Sequence, residues 1–125
     1  MIKHVVLFFV FLTLSFSSFG LDISNYRYYQ INKDLPNGKG PFYVVYIKTN
    51  DPCVFVDKIK DKTTHRFCKM GDSELDLEKN HPSIYPVLMQ LFGSRFSFVV
   101  AAPWNEQQCE IYLPRMELTC EPTGK

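Results

Sequence analysis

The chain lacks most of the residue patterns that mark local chemistry. Only three of its 125 residues are histidine and one is tryptophan. Lys and Arg number 14 against 13 for Asp and Glu, a formal net charge of +1, and no basic run occurs. That balance removes the electrostatic reason for nucleic acid or an anionic membrane as partner. No two cysteines have the C-x-x-C spacing of redox centres and zinc ribbons. G-x-S-x-G, H-E-x-x-H and a glycine-rich phosphate cradle are missing. So are N-x-[ST] sequons, internal repeats and low-complexity segments.

What is present starts with “MIKHVVLFFVFLTLSFSSFG”. Lys3 and His4 form a basic start, residues 5–14 are apolar apart from Thr13, and Ser18 and Gly20 supply small residues before a cut at Leu21. A membrane-spanning helix needs about 20 apolar residues, and the serines after Leu14 dilute this run. Residues 1–20 are therefore expected to be a signal peptide. Residues 21–125 then form one small exported domain, secreted or periplasmic. Loss of Lys3 leaves that domain with balanced formal charge. “IYPVLMQLFGSRFSFVVAA”, residues 84–102, is interrupted by Pro86, Gly93 and Arg95, so no span is expected there.

Four cysteines follow, Cys53, Cys68, Cys109 and Cys120. An even count in a short exported chain favours disulfides. In “CEIYLPRMELTC” a four-residue loop over 113–116, with Pro114 supplying the fixed φ of a turn, sets Cys109 opposite Cys120. Alternation along the strands then places Cys109, Ile111, Leu113, Met116, Leu118 and Cys120 on one apolar face. As a non-hydrogen-bonded pair the two cysteines would have Cα atoms about 4.5 Å apart, close enough to bridge. In “CVFVDKIKDKTTHRFC” a turn centred on Lys60 and Asp61 sets Cys53 opposite Cys68, Val54 opposite Phe67 and Val56 opposite His65. Asp57 and Arg66 fall on the cysteine face of that hairpin. Two local hairpin disulfides are expected.

The remaining chain reads as short elements. “YRYYQI” (26–31) is β-prone and precedes the loop “NKDLPNGKGP”. “FYVVYIK” (42–48) is apolar on both faces, as a central strand is. “SELDLE” (73–78) alternates leucine with carboxylate and suits an edge strand. Ser83 as N-cap, Pro86 in the first turn, Gly93 at C′ and a stripe of Ile84, Val87, Leu88, Leu91 and Phe92 predict a helix over about 83–92. “RFSFVVAA” is a strand ended by Pro103. The expected class is α+β and strand-dominated, an antiparallel sheet or small sandwich of six to eight short strands with one helix.

Few residues offer chemistry. Asp72, Glu74, Asp76 and Glu78 would line one strand face. The sixth and twelfth positions of an EF-hand there are Leu77 and Ser83, which leaves a solvated edge as the better account. His65 or His81, working with Asp57, Asp61 or Asp72, would suit a small hydrolase. Tyr26 and Tyr28 are expected on one strand face and Tyr29 on the other. Such a row packs on a partner or stacks on sugar rings. Trp104 is expected in a turn, folded onto the core or offered to a partner. No cofactor or metal is expected.

“FSFVVAAPW”, residues 96–104, resembles the strand-then-Pro-Trp wedge of secreted cystatins, which share this size, a signal peptide and two disulfides. The resemblance covers nine residues, and that family's Q-x-V-x-G loop and long N-terminal helix have no counterpart here. It implies an inhibitor of papain-like proteases acting through Pro103 and Trp104. Read from the residues themselves, the chain is a small secreted binding or inhibitor-like domain with a protein or glycan partner. The alternative is the secreted hydrolase.

Overall fold

A computed structural model describes residues 23–32 and 43–125. The expected signal peptide and residues 33–42 lie outside the described residues. Eight strands follow in order: β1 (Tyr26–Ile31), β2 (Tyr43–Lys48), β3 (Asp51–Lys58), β4 (Thr63–Phe67), β5 (Tyr85–Phe92), β6 (Arg95–Ala101), β7 (Gln107–Tyr112) and β8 (Glu117–Pro122). They form two antiparallel four-stranded sheets, β1-β2-β3-β4 and β5-β6-β7-β8, each a meander in chain order.

Period-two alternation decides which side chains enter the core. Tyr43, Val45 and Ile47 of β2 and Val54 and Val56 of β3 point inward from the first sheet. Phe96, Phe98 and Val100 of β6 and Cys109 and Ile111 of β7 meet them from the second. Both sheets thus share one hydrophobic core. Complete burial of a side chain such as Phe98 contributes about 1.5–3 kcal/mol.

Both cystine hairpins have the expected register. Cys109 pairs with Cys120 and Tyr112 with Glu117, so the loop is residues 113–116. Val54 pairs with Phe67 and Val56 with His65. Each four-residue loop is closed by a hydrogen bond, from Met116 N–H to Leu113 O and from Lys62 N–H to Ile59 O. Met116 and Lys62 both have positive φ. The Cys53–Cys68 and Cys109–Cys120 disulfides span Cα separations of 4.8 and 4.1 Å.

Two expectations are corrected. Residues 83–92 form no helix, since Tyr85–Phe92 is β5. Tyr85 precedes Pro86, a position that disfavours the α conformation, and Pro86 is tolerated because β5 lies at a sheet edge. β6 also needs an antiparallel partner, and the two-residue Gly93–Ser94 loop delivers β5 to it, pairing Phe92 with Arg95. Gly93 has φ +60, and Ser94 is not among the positive-φ residues. That is the pattern of a type II′ hairpin turn, so the glycine starts a hairpin rather than ending a helix.

“SELDLE” is not an edge strand either. Gly71–Ser73 is a single 3-10 turn, and only an isolated bridge joins Asp76 to Lys69. Leu75 and Leu77 are buried as the alternation implies, but so is Asp76. Its carboxylate accepts the backbone N–H groups of Glu78 and Lys79 at 2.9 and 3.2 Å. This local capping outcompetes a strand ladder. Among the described residues no helix is long and apolar enough to cross a membrane.

Candidate functional site

One edge of each sheet carries a β-bulge, and the two edges lie side by side. Gln30 of β1 links them: its Oε1 accepts Leu91 N–H of β5 at 3.2 Å and the Tyr28 hydroxyl at 2.6 Å. The Tyr28 ring packs on Phe96 with centroids 6.3 Å apart.

The β1 bulge corrects the expected tyrosine faces. Tyr26 pairs with Lys48 and Tyr28 with Ile47, so Arg27 is an extra residue on β1. An inserted residue reverses the alternation. Tyr28 therefore faces the core, whereas Tyr26 and Tyr29 share the outer face. There Tyr26 meets Tyr46 edge-on at 5.6 Å, and Tyr46 stacks on Phe55 at 5.2 Å. Lys48 Nζ lies 4.6 Å from the centre of the Phe55 ring, and the Arg66 guanidinium 5.9 Å. The Tyr46 hydroxyl donates to Asp57 at 2.9 Å. Burial first, and then this hydrogen bond, pushes the Tyr46 phenol up to about 12. Burial acts on Asp51 in the upward direction, but hydrogen bonds from Arg66 and Cys53 N–H hold its carboxyl below its usual value. Tyr26 thus belongs to a packed network, while Tyr29 is 58 % exposed.

The β5 bulge acts on apolar side chains. Val87 pairs with Val99 and Gln90 with Ser97, which leaves one extra residue between them. Leu88 has φ +50 and is 79 % exposed; Met89 packs against the core. Positive φ at a leucine is a strained backbone, of the kind that collects at functional positions. Phe92, four residues on, is also 79 % exposed. Exposed Tyr85 extends the row along β5, and exposed Ile31 lies on the neighbouring β1.

A cleft of about 190 Å³ lies beside the two bulges. Tyr28, Ile47, Ile84 and Met89 provide its apolar lining, and exposed Arg27 and His81 its polar groups. His65 is exposed on β4. Among the described residues neither histidine side chain has a hydrogen-bond or ion-pair partner. Asp57 is engaged by Tyr46 and Thr64, and Asp61 pairs with Lys58 at 3.0 Å. Among the described residues no ion pair joins either histidine to Asp57, Asp61 or Asp72.

Trp104 is 57 % exposed in the turn after β6. Asn105 N–H donates to Ala102 O at 3.2 Å, and Asn105 Nδ2 donates to Ser73 O at 3.3 Å. The neighbouring backbone is thus anchored while the indole faces water. The acidic row does not form one face, because Asp76 is turned inward and Glu78 pairs with Arg66. Cys53, Cys68 and Glu78 approach one another closely, but both sulfurs belong to a disulfide and offer no thiolate to a metal.

The apolar stripe expected at helical spacing joins Leu88 and Phe92 to Ile84, Val87 and Leu91, so their exposure does not follow from it. The signals were the two prolines, Pro82 and Pro86, ahead of the apolar run and the Gly-Ser pair behind it. Compared with known protein families, characterised proteins and solved structures, the chain matches none.

Proposed function

We propose that this is a small secreted binding protein, made rigid by two hairpin disulfides, which recognises a protein partner through the apolar face of β5. The observation that carries this reading is the exposure of Leu88 and Phe92, each at 79 %, on an edge strand. Covering both would gain about 1.5–3 kcal/mol apiece, enough for a binding hot spot. A leucine gives little to a sugar ring, which favours protein over glycan. The disulfides support an oxidising compartment and reduce the ordering cost of binding.

Affinity capture from extracellular fluid tests the reading, with the oxidised protein as bait. A partner retained by the Trp104→Ala protein and lost with Leu88→Asp and Phe92→Asp supports it. A partner held equally by all variants overturns it. A second reading, cystatin-like protease inhibition, draws on the exposed Trp104 beside an anchored Asn105. It requires stoichiometric inhibition of papain that disappears in Trp104→Ala.

A further inference from the structure

We propose that the cleft between β1 and β5 captures the free C-terminus of a partner chain. The partner's last, apolar side chain enters the cleft, and its carboxylate meets Arg27 and His81. This rests on the reading above and specifies the chemistry of the partner's end in the cleft beside that strand.

Size sets the first constraint. At about 190 Å³ the cleft is close to a cavity of about 150 Å³ that holds benzene, and below the roughly 300–1,000 Å³ of whole-ligand pockets. It takes one side chain. Its Ile47, Ile84 and Met89 lining requires that side chain to be apolar.

Charge sets the second. The chain has four arginines. Arg66 pairs with Asp51 and Glu78, Arg95 with Glu110, and Arg115 with Glu117. Arg27 alone has no carboxylate partner among the described residues, and no Asp or Glu lines the cleft. A guanidinium presents a planar fork that matches both oxygens of a carboxylate. A ring N–H of His81 adds a further donor.

The backbone sets the third. Arg27 is the inserted residue of the β1 bulge, and Met89 lies within the β5 bulge. Bulges re-aim side chains and gather at functional sites. Here two of them, on different sheets, supply the guanidinium and part of the apolar lining of one cleft. An apolar residue ending in a carboxylate satisfies size, lining and charge together.

The test is an amide-resonance titration of the full chain, expressed in an oxidising compartment. The probes are acetyl-Ala-Ala-Phe with a free carboxylate, the same peptide as its C-terminal amide, and acetyl-Phe-Ala-Ala. The free acid should saturate, with shifts centred on Arg27, Tyr28, His81 and Met89. Amidation, or moving the Phe inward, should weaken binding at least tenfold. Arg27→Gln should weaken the free acid tenfold and erase its advantage over the amide, and Arg27→Lys should restore part of it. Arg115→Gln, in the β7–β8 loop and outside the cleft lining, should change nothing. Equal binding of acid and amide, shifts away from the cleft, or failure to saturate overturns the assignment. If the peptide fails while partner capture still depends on Leu88 and Phe92, the cleft assignment falls and the β5 reading stands. The converse pattern removes the β5 reading alone.

Discussion

Replacing Leu88 by glycine should stabilise the protein while weakening its capture of a partner. Leu88 has φ +50 and is largely solvated. A left-handed conformation costs an L-residue about 1–2 kcal/mol, and glycine adopts it freely. Glycine gives back about 0.5–1 kcal/mol through the greater entropy of the unfolded chain. An exposed side chain gives up little buried area, so the net gain should be about 0–1.5 kcal/mol, centred on about 0.75 kcal/mol. Urea denaturation with both disulfides intact measures it, as a higher midpoint at unchanged slope. Lys62, Glu74 and Met116 also have positive φ. Lys62 and Met116 end tight loops, where such a residue serves the turn. Leu88 lies inside a strand and serves no turn. A loss of 1 kcal/mol or more in Leu88→Gly would refute the reasoning, because it would mean that this leucine supports the fold.

Alanine in place of either cysteine pair should remove about 3 kcal/mol from loop-closure entropy, for separations of 15 and 11 residues; the drop in urea midpoint under matched conditions checks it. Phe98→Ala, at the centre of the shared core, should cost about 3–5 kcal/mol in the same assay. Stability should hold up to about pH 10 and fall between pH 10 and 12 as Tyr46, pushed up to about 12, loses its proton. The sign follows because the unfolded phenol titrates first, so alkali favours unfolding. Ultraviolet titration of phenolate should show one tyrosine moving to lower pH in Asp57→Asn.

The cystine hairpins were legible because their information is local. In the Cys109–Cys120 hairpin, proline in the turn, alternation along both arms and facing cysteines agree on one register; in the Cys53–Cys68 hairpin the turn position and the facing cysteines do. The central strand β2 was legible for the same reason. The segment over 83–92 was not, because its apolar spacing fits a helix and a bulged strand alike. The choice was made by β6, which needs a partner, and by Pro86, which an edge strand accepts. The tyrosine row was misread through a single inserted residue: Arg27 reverses the alternation, and nothing in “YRYYQI” marks the bulge. Asp76 looked solvated because its two backbone donors, Glu78 and Lys79 N–H, lie in a turn that the leucine–carboxylate alternation does not mark. The exposed Leu88 and Phe92 follow from the β5 bulge, so no reading by helical period finds them.

Site-specific photo-crosslinking tests the central claim that β5 is the binding face. A photoreactive residue at position 88 or 92 should join the protein to one partner in stoichiometric yield, whereas the same residue at exposed position 119 on β8 should not. Crosslinks from 119 alone, or equal yields at all three positions, would contradict the account.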